Sequence, residues 1–353
     1  MKHESQSAFR REQRMPVMAG NIFTRSLTAR TIASLRRCRV ADVVTEMWPN
    51  DLPLAQMLTR AASNPAMTSV TGWAAELVQK IVVDTLDALG AASTAADLLK
   101  QSLVLNWDGA GAISAPGFVA SAANSGFVAE GQPIPVRQLA EAPAQLQPYK
   151  LATIAALTRE MVESSNAEAL IGDTLVRSCA LALDAVFFDA NPATAARPPG
   201  VRNGIVALGA SNNTDFFEAF AEDVGSLIDA VAPVGGKGPY ILITGPGRAA
   251  MIATHYVSFR DESQFDVMAS NAVGNDLLVV APKALVAALS PEPDVETANA
   301  GTLVMDTAPG AAGTMGPEKE MFQTDSLAIK VRWPVTWALR DPRAVAWLTP
   351  AWK

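Results

Sequence analysis

"GFVAEGQPIPVRQLAEAPAQLQPYKLA" occupies residues 126–152. It is rich in Pro, Gln and Ala and is longer than an ordinary loop. Phe127, Val128, Ile134 and Val136 are nevertheless spaced along it like buried anchors. Pro133 and Pro135 restrict the backbone between them and blunt its edge against unwanted strand pairing. The stretch has apolar anchors but no apolar mass of its own, so its core must be sought elsewhere.

The surrounding chain can supply one. Its 353 residues are 49% hydrophobic and 18% charged, with mean hydropathy +0.17, enough to bury a sizeable core over about two domains. The low charge content fits a surface covered by neighbours, and it equally fits an Ala-rich globular enzyme. Charge is unevenly spread. Residues 1–40 hold nine basic residues, among them Arg10, Arg11, Arg14, Arg36, Arg37 and Arg39, against Glu4 and Glu12. The remainder of a chain of net charge −7 therefore carries −14. A basic arm on an acidic body suits nucleic acid, an acidic partner or a membrane surface, and also a solvated tail. Cys38 and Cys179 form no disulfide framework, which points to a reducing compartment. No apolar run reaches the ~20 residues of a membrane span, and the N-terminus has no secretory h-region.

Residues 1–62 read as loosely organised, interrupted by Pro16, Pro49 and Pro53. An amphipathic helix is expected over 68–90, and a shorter one over 93–101 with Ser93 as its N-cap. "SLVLNWDGAGAISAP" (102–116) alternates and turns at Asp108-Gly109, a hairpin signal. Residues 146–163 shift from extended to helical. A helix of about 25 residues follows over 167–191, with Asp173, Arg177 and Asp184 on its polar face. At 1.5 Å per residue it is a spine of about 37 Å. "NPATAARPPGVRNGI" (191–205) breaks the pattern. Helices over 214–232 and 247–257 then alternate with strands over 239–246 and 277–282. Near the end, Leu327, Ile329, Val331, Trp333, Val335, Trp337 and Leu339 alternate with Lys330, Arg332, Thr336 and Arg340, a strand with one buried side. Pro334 has no N–H, so this strand is expected at an edge or bulged there. No internal repeat of 20–50 residues is present.

Catalytic signatures are missing. His3 and His255 lie far apart, and neither belongs to a metal-ligand pattern. "VGGKGP" (234–239) fails the phosphate-loop pattern: its first Gly would fall at Val231, and Gly238 follows Lys237 where Ser or Thr is needed. "GPGR" (245–248) opens a helix after a strand and reads as a Gly-Pro turn. No nucleophile elbow occurs. No catalytic, metal-binding or cofactor-binding residue is therefore expected.

Several segments, in order, carry a resemblance. "FVAEGQPIP", "LQPYKLATIAALTREMVESS", a long helix ending "ALALDAVFFD", "RPPGVRNGI" and the closing "MFQTDSLAIKVRWPVTWALRDPRAVAWL" together resemble the major capsid protein of tailed bacteriophages, the Hong Kong 97-type fold, in a prophage-like branch. "TGWAAELV" and "LVLNWDGAGAISAPGF" resemble its upstream arm. The likeness covers roughly residues 68–353.

The resemblance implies an α+β fold and a role for each segment. Residues 1–62 would be a basic, scaffold-like or flexible region, and 63–102 an N-terminal arm. Residues 103–150 would be an extended β-hairpin loop reaching over a neighbour. Residues 151–210 and 315–353 would form a peripheral domain around the spine helix, and 211–314 an axial domain. The chain would assemble as hexamers and pentamers into an icosahedral virion shell, built in the bacterial cytoplasm. Its further partners would be portal, scaffold, head protease and decoration proteins, with packaged double-stranded DNA held non-specifically and no membrane. Intersubunit contacts are expected at Phe127, Val128, Glu130, Ile134, Val136, Arg137, Lys150, Arg159 and Glu160. Some members crosslink covalently through a lysine on the loop. Ile134 falls at about that place, so no such bond is expected. An encapsulin-like compartment shell is the alternative, and an α/β hydrolase or transferase using 211–314 a third reading.

Overall fold

The structure, a computed structural model, describes residues 22–36, 38–51, 54–55, 86, 89–90, 92–107, 111–115, 117, 127–128, 144–160, 167–255, 265–290, 293–304 and 318–352. Most of the helix expected over 68–90 lies outside them, as do Asp108 and Gly109.

Helices α1 (Ile22–Arg36) and α2 (Val40–Met47) open the described chain. The sequence suggested loose organisation here, and the structure corrects it. Ala29, Ile32 and Ala33 of α1 recur at helical spacing and bury against Val43, Val44, Trp48 and Leu54. Three arginines, Arg25, Arg30 and Arg36, together with several Ser and Thr residues, dilute this stripe in a composition reading.

Helix α3 (Thr94–Gln101) starts at Ser93, whose hydroxyl accepts from the Ala96 amide, and buries Leu98 and Leu99 completely. Strand β1 (Leu103–Asn106) follows, then β2 (Ile113–Ala115), β3 (Ala144–Leu146) and β4 (Lys150–Thr158). The expected hairpin between β1 and β2 does not form. Strand β1 runs parallel to β8 (Leu285–Leu289), and β2 pairs antiparallel with β3. The Asp-Gly signal is local, whereas β1 finds a fully buried partner far along the chain.

The spine helix α4 (Ala167–Phe187) has 21 residues, about 31 Å. It ends before residue 191 because the chain folds back on it. The Val201 amide takes the Phe187 carbonyl at 2.8 Å, and Arg197 Nη2 donates to Asp189 Oδ1 at 2.6 Å. A Cβ on Gly200 would lie 2.0 Å from the Asp189 carbonyl oxygen, so only glycine fits this return. Helix α5 (Phe216–Gly235) is capped by Asp215, which accepts from the Phe217 and Glu218 amides. Then come β5 (Tyr240–Thr244), α6 (Pro246–His255), β6 (Phe265–Ala269) and β7 (Leu277–Val280). After β8 lie β9 (Asp294–Ala298), the ribbon β10 (Thr302–Val304) with β11 (Glu318–Glu320), β12 (Ser326–Leu339) and β13 (Val345–Leu348).

Two principal sheets result, and the fold is α+β. The main sheet runs β1-β8-β12-β4, with β9 also on β12. The second runs β13-β7-β5-β6. Both faces of the second sheet are covered, as its continuous apolar strands require. Ile241, Ile243, Leu278, Val280 and Val345 face the core shared with α3 and α4. Tyr240, Leu242, Leu277, Val279, Ala346 and Leu348 face α5. Four pairings cross the 314/315 boundary expected between units: β8 and β9 belong with β12, β10 with β11, and β13 with β7.

Strand β12 follows the expected alternation at Leu327, Ile329, Val331, Trp333, Val335 and Trp337, which are all buried. Two details differ. Thr336 is 1% exposed, because the far face of this half of the sheet is covered by the β2–β3 pair. Pro334 is neither at an edge nor in a bulge: β12 has neighbours on both sides. Pro334 sits where the neighbour on one side changes from β9 to β8. Its carbonyl accepts from the Ser290 amide at 3.0 Å. The reciprocal bond of that antiparallel pair would need an N–H on Pro334. The Trp333 indole supplies the donor instead, reaching the Ser290 carbonyl at 2.9 Å.

Candidate assembly surfaces

The described flanks of the opening stretch are firmly seated. Ile113, Ser114 and Ala115 stand opposite Leu146, Gln145 and Ala144. Ala115 and Leu146 pack with Trp107 on Val286 and Ala288, the back face of β8. The Trp107 amide donates to the Leu289 carbonyl at 2.8 Å. Burying Leu146 or Val286 here contributes about 1.5–3 kcal/mol each. Residues 116–143 thus leave from and return to a fixed base. Within them Phe127 is fully exposed, at 112% of its reference area, and Val128 is exposed. Nothing among the described residues covers this pair. Glu130, Ile134, Val136 and Arg137 lie outside the described residues.

Lys150 and the Arg159–Glu160 pair are exposed at opposite ends of β4, about 30 Å apart at ~3.3 Å per residue, so they do not form one cluster. Arg159 is engaged within the chain: its Nε donates to both carboxylate oxygens of Asp325, at 3.0 and 2.9 Å. Both side chains are about half exposed, so the pair contributes about 0–1 kcal/mol.

The described part of the basic segment is also partly neutralised. Arg25 bonds Asp51 at 2.6 Å with both side chains largely buried, and Arg36 bonds Glu46 at 2.9 Å in solvent. Arg39 precedes α2 and is exposed. Arg10, Arg11, Arg14 and Arg37 lie outside the described residues.

The buried carboxylates are saturated by internal donors. Asp184 is 7% exposed, not on an open polar face as its sequence neighbours suggested. Position 184 is four residues from Ala180 and three from Phe187, both fully buried, so it lies at the margin of the buried stripe. Its carboxylate accepts from Ser93 Oγ (2.5 Å), the Ala95 amide (3.0 Å), the Thr94 amide (3.3 Å) and Ser270 Oγ (2.6 Å). Asp223, 1% exposed on α5, accepts from the Ser211 amide (2.6 Å) and the Trp352 indole (2.8 Å). The Trp352 ring stands edge-on to Phe216 and Phe220, with the Arg248 guanidinium 5.1 Å from its centre. Arg202 spans the end of α4 and the second sheet. It donates to the Phe188 carbonyl and to Asp276 at 2.6 Å, and it stacks on Trp347. Sequence reasoning missed the roles of Asp184, Asp223 and Trp352 because the bonds of Asp184 span 86–91 positions and the Asp223–Trp352 bond spans 129.

The two glycine-rich stretches have no anion cradle. "VGGKGP" follows the C-terminal end of α5, where carbonyls rather than amides are left over. In "GPGR", Arg248 is turned inward onto the Asn275 and Trp352 carbonyls. No cluster of metal-ligating side chains occurs among the described residues. None of their helices is long and apolar enough to cross a membrane.

No family model and no curated protein matches the chain. Solved structures with a similar fold include a virus-like particle from Pyrococcus furiosus, at 13% identity over 76% of this chain and 98% of that one, TM-score 0.48. The satellite phage P4 procapsid including its size determination protein matches at 9% identity over 83% and 94%, TM-score 0.48. Mycobacterium phage Cain matches at 14% over 85% and 97%, TM-score 0.48. All three TM-scores are below 0.5, so a functional reading rests on the chain's own geometry.

Proposed function

We propose that this chain is the major capsid subunit of a tailed bacteriophage, a structural protein of the Hong Kong 97 type that assembles with its own copies into an icosahedral shell around DNA. The observation that carries the reading is the β2–β3 base. It is packed onto the main sheet, and the chain between its two strands carries Phe127, which is fully exposed. An exposed Phe-Val pair invites burial by another molecule. A second copy of the chain supplies that molecule at every position of a closed shell. Many weak contacts repeated around a closed lattice add up without tight pairwise binding.

The rest of the chain divides accordingly. The spine helix α4 with β4, β9 and β12 forms the peripheral unit. Helices α5 and α6 with β5–β7 and β13 form the axial unit at hexamer and pentamer centres. Lys150, Arg159, Glu160 and the residues around Ile134 and Arg137 contribute at the subunit boundaries, and no loop lysine crosslinks them. Arg39 and the basic residues upstream of α1 face the packaged DNA, where positive charge alone suffices for salt-dependent binding. Portal, protease and decoration proteins complete the particle.

Negative-stain electron microscopy of the purified protein tests the reading. Closed shells, or hexamers and pentamers, are expected. A monodisperse monomer over a broad range of salt and concentration would overturn it. Removing residues 1–21, which leaves α1 intact, is expected to preserve shells and lower their retention of DNA.

A further inference from the structure

We propose that Asp184 is a positioning residue, a three-way joint that sets the angle between helix α3, the spine helix and the axial unit, and through that angle the curvature of the shell. Its last step rests on the capsid reading above.

The joint is symmetric. Ser93 donates its hydroxyl to one oxygen of Asp184 and accepts from the Ala96 amide, capping α3. Ser270 donates to the other oxygen and accepts from the Ala272 amide, capping the single helical turn that follows β6. Two caps, one from the upstream arm and one from the axial unit, therefore meet on one carboxylate of the spine helix. Thr94 adds a direct bridge between them, its hydroxyl donating to the Ala269 carbonyl at 2.6 Å.

A cap alone does not require this arrangement. Ser93 satisfies the Ala96 amide of α3, as an N-cap should. The carboxylate adds the Thr94 and Ala95 amides and ties them to a segment of another unit. Hydrogen bonds to a charged acceptor are the stronger kind, and members of such a network reinforce one another. A cleft of about 590 Å³, lined by Gly90, Leu181, Pro246 and Met268 among others, opens beside the joint. The three segments thus have room to shift on that side if the joint is weakened. The Arg202–Asp276 pair connects the return after α4 to the axial unit at a second point. The shared apolar core holds the same units together without directional bonds, and of these two polar links only the Asp184 one also includes the arm.

The test is Ser270→Ala, which cuts the bond from Asp184 to the axial unit while leaving the Thr94–Ala269 bridge and the α3 cap in place, with Ser93→Ala as the opposite cut. Both are to be confirmed folded by circular dichroism. In Ser270→Ala the Thr94 and Ala95 amides, remote from the mutation in sequence, are expected to exchange hydrogen roughly tenfold faster. Shell diameters, measured by electron microscopy, are expected to broaden or shift relative to wild type. Shells of wild-type diameter with unchanged exchange at Thr94 and Ala95 would overturn the proposal. If the wild-type protein itself forms no shell, the capsid reading fails separately. The exchange result then decides whether the joint exists: faster exchange supports it and unchanged exchange overturns it.

Discussion

Replacing Trp333 by Phe removes the indole donor that reaches the Ser290 carbonyl, where Pro334 has no N–H to offer. Trp333 is 4% exposed, so water cannot readily take over. Loss of this buried hydrogen bond costs about 1–1.5 kcal/mol. The lost ring atoms cost roughly 1–2 kcal/mol more. Pro334→Ala alone should cost roughly 0.4–1 kcal/mol, through the freer unfolded chain, since one carbonyl oxygen can accept from two donors. In the double variant the new Ala amide reclaims the carbonyl. The pair should therefore be more stable than the sum of the single changes by roughly 1–2 kcal/mol. Guanidinium denaturation of dispersed subunits, followed by far-ultraviolet circular dichroism, gives all four corners of the cycle. Additivity within about 0.5 kcal/mol would refute the exchange of donors.

Other outcomes follow from neighbouring features. Trp352→Ala should cost about 3–5 kcal/mol of subunit stability, and Trp352→Phe, which keeps a ring but strands the Asp223 carboxylate, about 1–3 kcal/mol, both read by denaturant midpoint. Phe127→Ala should leave subunit melting unchanged, because the ring is fully exposed, while raising the concentration needed for assembly in sedimentation runs. The Arg343 side chain bonded to Asp341 holds that carboxyl below its ordinary value of 3.8. Its contribution is complete above that value and is lost as pH falls through the depressed folded value. Asp341→Asn should therefore flatten the acid limb of a stability–pH curve below about pH 4. Burial pushes the Cys179 thiol up to about 11, whereas Cys38 is exposed. Iodoacetamide at pH 8 should modify one thiol rapidly in dispersed subunits and a second only after unfolding, which mass spectrometry resolves.

What the sequence revealed and concealed follows from the range of each interaction. The period-two pattern of β12 was legible because every second residue enters one core. Thr336 was not, because its cover comes from residues near 115 and 146. Ser93 announced α3 through a local cap, yet the carboxylate that holds the same turn lies 91 residues away. The α1–α2 pair went unread because Arg, Ser and Thr dilute a short stripe of Ala, Ile and Val. Phe127 and Val128 were legible as misplaced apolar residues, and both are exposed. The charged residues expected at the subunit boundaries were read from type alone. For Arg159 the structure adds an internal partner that no local pattern announces.

The chain's route between the two sheets has a mechanical consequence. It leaves the main sheet after α4 and enters the second through β5, β6 and β7. It returns for β8, β9 and β12, then crosses again to finish as β13. A load pulling the two units apart is therefore shared by three covalent crossings, near residues 205–215, 281–285 and 339–345, acting in parallel. Neither unit can be cut out as a contiguous fragment without losing a strand. A container under outward pressure from its contents gains from this routing, because no single linker sets where it would tear.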